Sequence, residues 1–382
     1  MTSSALLPPL VFIHGWKASV LTNKHTNKDE FDYTLGKCLG ISSDPDLELP
    51  LELETDGTQV KDDLIPTSAC HSATADLICV KLKVAPIYGP LLDHLHKTRD
   101  LHVFAYDWRM CLDETVAKFE QFLLDVTQRC DGQAPQVIGH SMGCLITLHL
   151  LNKRPELFHS ILFGAGAMSP NASLLHDFSI MGEKNTIVKN TTMFTPKINL
   201  SNPSAIHFLA YPGERELYGK PNTTLFRKED TDMPVELDLH NVETWKKYKL
   251  GYYHPQSGCA DDVTDKMEKW LQIVLNKAYN FRRGLLPTNS GLKASDCPPI
   301  ACLRGDHEDT DASYVVRSSS GVDFHTDVGT LRGDGRVLLE DAVPPNDIPV
   351  IKIVTNDKEH SQVLNDIENV QMLLDLLIAE KQ

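Results

Sequence analysis

The stretch that decides the fold is Gln136-Val137-Ile138-Gly139-His140-Ser141-Met142-Gly143. Its apolar start predicts a short buried strand. The strongly apolar segment from Cys144 to Leu151 predicts a helix, and this helix must stop at Arg154 because Pro155 follows. The stretch is therefore a sharp turn between a strand and a helix, the unit from which parallel sheets covered by helices are built.

A serine held between two glycines at such a turn is typical of a nucleophile elbow. The backbone there is strained, and Gly139 and Gly143 lack the side chains that would clash. The pattern predicts Ser141 as a nucleophile whose hydroxyl stands at the first turn of the helix. The backbone N–H of Met142 would then point to the place where an oxyanion forms.

Strands and helices alternate from Val11 to Met168. The apolar spacing predicts strands at Val11–Ile13, Leu101–Tyr106 and Phe158–Phe163, and helices over Pro86–Thr98 and from Asp113, which can act as an N-cap. This alternation predicts an α/β fold with a mainly parallel sheet flanked by helices.

Two polar segments interrupt this pattern. Residues 17–80 show little periodicity and are expected to form an irregular insertion within an N-terminal core part, 1–168. Residues 169–295 are expected to form a lid or cap inserted after the sixth strand. Its apolar residues either line an acyl pocket or form a core of their own. Sheet character returns at Ile300–Leu303, Tyr314–Val316 and Val350–Val354, so 296–382 is predicted as the C-terminal part of the core.

The first strand, Val11-Phe12-Ile13, runs into His14-Gly15-Trp16. In hydrolases with an elbow, a loop at this place supplies the second oxyanion donor. We therefore predict the backbone N–H of Trp16 as that donor, with an exposed tryptophan on a β-turn as the alternative.

An elbow serine needs a carboxylate and a histidine, in that chain order. The candidate acids after the second insertion are Asp306, Asp309, Asp334 and Asp341. Asp334 is favoured because it lies between two glycines in a loop, and Asp306 is the alternative because it directly follows a predicted strand. The base is predicted as His360, the one histidine after Asp334, whereas His140 and His149 are predicted to be structural.

Composition limits the partners. The 382-residue chain is 41% hydrophobic and 23% charged, which is ordinary for a folded protein with a large core, and its formal net charge is −15. That charge argues against nucleic acid and against electrostatic docking on anionic lipid, so contact with a lipid surface would be apolar and transient. Neither a cofactor nor a metal is predicted, because phosphate-cradling glycine loops and metal-ligand spacings are missing.

The expected location is the cytoplasm. The apolar segment from Ala5 to Ile13 lacks a basic start and contains Pro8-Pro9, unlike a signal peptide. Nine cysteines without C-x-x-C pairs are expected to be free thiols. Four Asn-x-Ser/Thr sites argue for the secretory pathway instead; they begin at Asn171, Asn190, Asn199 and Asn222.

Several stretches together resemble one family, the lecithin:cholesterol acyltransferase and lysosomal phospholipase type of α/β-hydrolase. Tyr106-Asp107-Trp108-Arg109 is similar to its YDWR motif, and the elbow through Cys144 is similar to its nucleophile segment. Arg332-Gly333-Asp334-Gly335-Arg336-Val337 is similar to its acid motif, which favours Asp334 over Asp306. Weaker likenesses lie at Asn202–Ala205 and Glu243–Trp245. The resemblance implies the α/β-hydrolase fold and transfer or release of acyl groups from glycerophospholipid.

The chain also departs from that family. Its first loop reads His14-Gly15-Trp16-Lys17-Ala18 rather than proline-glycine, which is closer to general esterases and lipases, and Arg336 replaces the usual threonine. The sequence therefore predicts serine-dependent acyl transfer from a lipid ester through an acyl-enzyme on Ser141, to water or to an alcohol. A plain serine lipase or carboxylesterase is the alternative, followed by a lipid-binding homologue without catalysis.

Overall fold

The computed structural model describes residues 7–34, 47–77, 80–169, 173–180, 194–220, 224–317 and 321–381. The strands are β1 (Leu10–Ile13), β2 (Ser19–Asn23), β3 (Asp29–Phe31), β4 (Leu64–Ala69), β5 (Ser72–Leu77), β6 (Val80–Pro86), β7 (Leu101–Phe104), β8 (Gln136–His140), β9 (Ser160–Gly164), β10 (Phe226–Lys228), β11 (Ile300–Gly305), β12 (Glu308–Arg317), β13 (Gly321–Asp323), β14 (Gly329–Gly333) and β15 (Lys352–Asn356).

The α-helices are α1 (Gly89–Thr98), α2 (Leu112–Arg129), α3 (Met142–Lys153), α4 (Ser173–Ser179), α5 (Pro196–Ser201), α6 (Pro203–Ile206), α7 (Glu214–Leu217), α8 (Val242–Tyr248), α9 (Asp265–Arg283), α10 (Pro287–Ser290) and α11 (Ile367–Lys381). Helix α9 starts at Thr264, whose hydroxyl accepts the N–H of Met267 at 3.3 Å. Among the described residues, none of these helices combines the length and apolarity needed to cross a membrane.

The central sheet has the order β15-β11-β9-β8-β1-β7, and its neighbouring strands are parallel. Strands β1, β8, β9 and, apart from Arg304, β11 are buried on both faces, as expected for inner strands of a parallel sheet. Helix α1 packs against α11, whereas α2 packs against α3. The predicted α/β fold with a mainly parallel sheet is confirmed.

The register brings the carboxyl ends of these strands to one edge. Ile13 pairs with Gly139, His140 pairs with Gly164, and Leu303 also pairs with Gly164. The residues that follow β1, β8, β9 and β11 therefore emerge side by side. In open parallel sheets this edge is where ligands bind.

The described parts of the segment 17–80 are not irregular as predicted. Strands β2, β3 and β4 form a separate antiparallel sheet, and β5 and β6 form a hairpin. Most of β4 is half-buried or exposed, so its sequence lacks the apolar alternation of a covered strand. These strands lie outside the central sheet, and the second insertion follows β9 of that sheet.

The division at residue 295 also differs in detail. Strand β10, within the second insertion, pairs in parallel with β12, which lies in the predicted C-terminal core: Phe226 pairs with Tyr314. Strands β13 and β14 complete this second sheet. The alternation at Tyr314–Val316 correctly indicates a strand, but a local pattern does not specify which sheet the strand joins.

Two further expectations concern single residues. Helix α2 begins two residues earlier than predicted, with Cys111 rather than Asp113 at the N-cap. Asp113 lies in the first turn, where its carboxylate is close to the positive end of the helix dipole. Asn199 is buried, and its side-chain amide donates to the carbonyl of Asp177 at 2.9 Å. The sites at Asn171, Asn190 and Asn222 lie outside the described residues.

Candidate active site

Ser141 occupies a strained turn between β8 and α3. Its φ of 51° and ψ of −116° lie where residues other than glycine are rarely found. A side chain on Gly143 would come within 2.6 Å of the carbonyl oxygens of Ile13 and His14, so only glycine lets α3 pack this closely against the end of β1. Strain of this kind costs about 1–3 kcal/mol and is typical of functional sites.

His360 lies next to Ser141, at the start of a 3₁₀ turn that follows β15. Its Nε2 is 2.9 Å from Ser141 Oγ, and its Nδ1 is 2.9 Å from Asp334 Oδ2. A carboxylate accepts only, so Nδ1 carries the proton and Nε2 accepts the Ser141 hydroxyl. The structure thus joins the three predicted residues in one hydrogen-bonded chain.

Asp334 is held from several sides and is 2% exposed. Its Oδ1 accepts the backbone N–H groups of Arg336 at 3.0 Å and Val337 at 2.7 Å, which leaves Oδ2 for His360. The backbone N–H of His360 also donates to the carbonyl of Asp334 at 2.9 Å. These hydrogen bonds hold the loop that carries Asp334 against the loop that carries His360.

Asp306, the alternative acid, makes a different contact. It follows β11 as expected, but its carboxylate accepts Arg332 Nε at 2.6 Å. This hydrogen bond and the charge of Arg332 lower the pKa of Asp306. The carboxylate hydrogen-bonded to His360 is that of Asp334.

The predicted oxyanion donors lie on two elements beside Ser141. Met142 is the first residue of α3, and the first N–H groups of a helix have no intrahelical acceptor. The loop after β1 passes directly against the nucleophile, because a side chain on Gly15 would come within 3.0 Å of Ser141 Cβ. Trp16 follows in this loop, half-buried, with its ring 6.5 Å from that of Trp108. The donor role of Trp16 stays a prediction.

Part of the chain matches a known family model. The family model described as lecithin:cholesterol acyltransferase matches residues 91–160, which include the YDWR motif and the elbow. The chain has the α/β-hydrolase fold, with a parallel sheet flanked by helices. No curated protein sequence matches this chain significantly.

One solved structure supports the fold of this chain. The Tle4-Tli4 complex matches with a TM-score of 0.60 and 12% identity, covering 100% of this chain and 99% of that one. The monoacylglycerol lipase of Paleococcus ferrophilus matches with a TM-score of 0.37 and 12% identity over 98% and 96% of the two chains. A carboxylesterase of Nitrososphaera gargenis has a TM-score of 0.35 and 12% identity over 98% and 91%. At such identities the first of these matches shows the fold alone.

The segment Tyr106-Asp107-Trp108-Arg109 packs against the loop that carries Trp16. The Tyr106 ring stacks on His14 at 4.1 Å, and the Tyr106 hydroxyl donates to the carbonyl of His14 at 2.9 Å. Burial lowers the pKa of His14 to about 4, so its ring is neutral at pH 7. Arg109 is buried and binds Asp107 at 2.8 Å and Asp62 at 2.9 Å, which ties the first insertion to the core.

Arg336, which stands where the family that this chain resembles has threonine, has a specific partner. Its Nη2 lies 2.8 Å from Asp177 Oδ2, and Asp177 is fully buried in α4 of the second insertion. Burial alone would raise the pKa of Asp177, but Arg336, His176 and Lys17 outweigh it and lower the pKa to about 2. Sequence reasoning missed this pair, and the unusual arginine was the signal that could have revealed it.

Lys17 lies in the same region, directly after Trp16. Its ammonium is 3.8 Å from the centre of the Trp16 ring and 3.7 Å from that of Phe194. Burial lowers the pKa of Lys17 well below its usual range, with Asp177 opposing that effect. The loop beside the nucleophile is thus anchored to the second insertion by aromatic and charged contacts.

Two groups of side chains outside this site have metal-ligand atoms within 4.8 Å of one another: Asp100, His102 and Cys130, and Cys111, Asp113 and His207. Neither group includes Ser141, Asp334 or His360. In the second group, Cys111 Sγ already lies 3.6 Å from His207 Nε2. The described cysteines are free thiols.

Proposed function

We propose that this protein transfers acyl groups from a lipid ester through an acyl-enzyme on Ser141. One observation carries the proposal: an unbroken hydrogen-bonded chain runs from Asp334 through His360 to a serine on a strained elbow. This arrangement matches the roles of orienting acid, general base and nucleophile.

The proposed chemistry has two steps. His360 Nε2 takes the hydroxyl proton while Ser141 Oγ bonds to the ester carbonyl carbon, and the carbonyl oxygen becomes an oxyanion beside the N–H groups of Met142 and Trp16. The imidazolium, stabilised by Asp334, returns the proton to the leaving alcohol as the C–O bond breaks. Water or an acceptor alcohol then repeats the sequence on the acyl-enzyme, which releases a fatty acid or forms a new ester.

The family match over residues 91–160 favours glycerophospholipid as the acyl donor. The loop His14-Gly15-Trp16 favours a second candidate, a carboxylesterase for small or neutral esters, because it differs from the proline-glycine loop expected of the family. The two candidates share the acyl-enzyme and differ in substrate and acceptor.

The test is mass spectrometry of lipids after incubating phosphatidylcholine liposomes with the wild-type protein or with Ser141→Ala, each with and without a sterol. We expect free fatty acid and lysophospholipid from the wild type only, and a sterol ester in addition if an alcohol is the acceptor. Circular dichroism of Ser141→Ala serves as the folding control.

Two outcomes would contradict parts of the proposal. Cleavage of short-chain nitrophenyl esters without attack on phospholipid would replace the first candidate by the second. An inactive, folded wild type whose Ser141 is not labelled by a fluorophosphonate would exclude both candidates.

A further inference from the structure

A buried tyrosine and a buried histidine connect the two loops on either side of Ser141. The backbone N–H of Gly15 donates to the hydroxyl of Tyr88 at 3.0 Å. The same hydroxyl is 2.7 Å from His140 Nδ1, and His140 Nε2 is 3.0 Å from the carbonyl oxygen of His360. Tyr88 is 2% exposed and His140 is 4% exposed.

The direction of each hydrogen bond follows from the groups involved. A carbonyl only accepts, so His140 Nε2 carries the ring proton and donates to His360. Burial and the neighbouring His360 lower the pKa of His140 to about 3, so the ring is neutral at pH 7 and Nδ1 has a free lone pair. Tyr88 therefore donates to Nδ1 and accepts the N–H of Gly15. Donors and acceptors therefore match along the whole series of hydrogen bonds from Gly15 through Tyr88 and His140 to His360, which we call the relay.

The relay begins and ends at groups of the proposed mechanism. Gly15 lies within contact of Ser141 Cβ and precedes Trp16, the predicted oxyanion donor. His360 is the predicted base, and a shift of its backbone would move its ring relative to Ser141 Oγ. The elbow residue His140 thus joins the loop on one side of the nucleophile to the loop on the other.

Further contacts hold the turn after His360 against the segment around Tyr88. Gln362 Nε2 donates to the carbonyl of Pro86 at 2.8 Å, and Asn365 Nδ2 donates to the carbonyl of Ile87 at 2.8 Å. The N–H of Leu91 donates to Asn365 Oδ1 at 3.3 Å. The turn that begins at His360 and the start of α1 are therefore held together. The Tyr88 hydroxyl lies between Gly15 and His140.

We propose that Tyr88 and His140 are positioning residues that couple the oxyanion loop to the catalytic base. This inference rests on the proposed function. Tyr88 fixes the orientation of the Gly15 amide, and His140 fixes the position of the His360 backbone through its carbonyl. Both effects act on the geometry of the transition state and leave the binding of the acyl chain alone, so they should change kcat rather than KM.

The test replaces Tyr88 by phenylalanine and measures kcat and KM on a nitrophenyl ester. The substitution leaves the Gly15 N–H and His140 Nδ1 without their shared partner in a buried place. We expect kcat to fall about 10- to 100-fold with KM nearly unchanged, since misplacement by about 1 Å costs roughly that much. We also expect the low-field proton resonance of the His360–Asp334 hydrogen bond to shift.

A matched control is Tyr218→Phe. Tyr218 is fully buried, and its hydroxyl has no hydrogen-bond partner among the described residues. This variant should keep the kcat and the low-field resonance of the wild type. A second pair tests the other end of the relay: His140→Gln keeps a donor for the His360 carbonyl and should retain more of kcat than His140→Leu.

Each outcome decides the inference. A folded Tyr88→Phe protein with wild-type kcat and an unchanged resonance would overturn it. So would a loss of kcat that matches the fraction of unfolded protein seen by circular dichroism. An inactive wild type would instead remove the proposed function, and with it the reaction that the relay serves.

Discussion

Two of the buried clusters of hydrogen-bonded side chains in this molecule differ in how far they are exposed to solvent. In the second insertion, Glu214 and Arg282 have fully buried side chains and are joined by contacts of 2.6 and 2.7 Å. In the catalytic cluster, the Asp334 side chain is 1% exposed, the His360 side chain 18% exposed, and Ser141 7% exposed. The ion pair is fully buried, whereas the hydrogen-bonded chain of Asp334, His360 and Ser141 includes a partly exposed histidine.

The difference shows that burial of polar groups does not by itself mark a functional site. Arg282 also donates to the carbonyl of Met168 at 3.1 Å, so the ion pair fastens α7 and α9 to the end of the segment after β9. The catalytic cluster contains a strained residue, Ser141, with φ of 51°. Strain and a partly exposed histidine distinguish the candidate catalytic cluster from the one that holds the fold together.

The largest expected effect is on catalysis. Replacing Asp334 by asparagine removes the charge that stabilises the imidazolium and favours the wrong tautomer of His360, so kcat should fall about 10⁴-fold. The melting temperature should change little, because the amide keeps an oxygen for the N–H groups of Arg336 and Val337. Steady-state kinetics and thermal unfolding check this. Asp306→Asn is the control, and a larger loss in that variant would make Asp306 the acid.

The next effect is on stability alone. Arg282→Met leaves the carboxylate of Glu214 buried without its partner, which should cost about 3–5 kcal/mol in the free energy of unfolding. The double variant Arg282→Met/Glu214→Leu should recover most of that loss. Urea unfolding gives the free energies, and kcat per folded molecule should stay unchanged. A fall in kcat per folded molecule would contradict the assignment of this ion pair to stability alone.

A smaller effect depends on pH. The pKa of Asp177 is lowered from 3.8 to about 2 in the folded protein, so its ionisation stabilises the fold above about pH 4. This contribution, about 2 kcal/mol, is lost as pH falls through 2. Arg336→Thr removes the partner and raises the pKa of Asp177, so acid unfolding should begin at a higher pH.

Acid titration followed by circular dichroism measures this shift. Arg332→Thr is the matched control, because it removes an arginine whose pair with Asp306 is exposed to solvent. Its acid transition should match that of the wild type. Equal transitions for Arg336→Thr and the wild type would show that the Asp177 pair does not stabilise the fold.

The smallest effect measures the strain at the elbow. Ser141→Gly and Ser141→Ala both lose the hydroxyl, but only glycine relaxes at a φ of 51°. The glycine variant should be more stable than the alanine variant by about 1 kcal/mol, and both should be inactive. Differential scanning calorimetry provides the comparison. Equal melting temperatures would mean that the elbow stores no strain.

Several parts of the fold were accessible from the sequence. The apolar runs at Val11–Ile13 and Gln136–Ile138 predicted inner strands of a parallel sheet, and they form β1 and part of β8. Chain order and uniqueness selected His360, and a position between two glycines favoured Asp334, as partners for Ser141. The structure joins the three by hydrogen bonds. Their catalytic roles stay predictions.

Other parts were not accessible. The strands β2 to β4 were not predicted, because a small, half-exposed sheet shows little alternation of apolar and polar residues in its sequence. The contact of Arg336 with Asp177 spans 159 residues of chain, and no local pattern reports such a contact. The same holds for Tyr88, which falls inside the helix predicted over Pro86–Thr98 and which lies between Gly15 and His140 in the structure.

The sequence by itself determined the elements that depend on neighbouring residues: the elbow with its glycines, the alternation of strand and helix, and the order of nucleophile, acid and base. Local sterics and hydrophobic periodicity act over a few residues, so they can be read along the chain. Only the tertiary structure decided which sheet each strand joins, which carboxylate meets His360, and how Tyr88, His140 and Arg336 contact their partners. These choices depend on packing and charge between segments far apart in the chain, where many pairings suit the local pattern and one of them suits the fold.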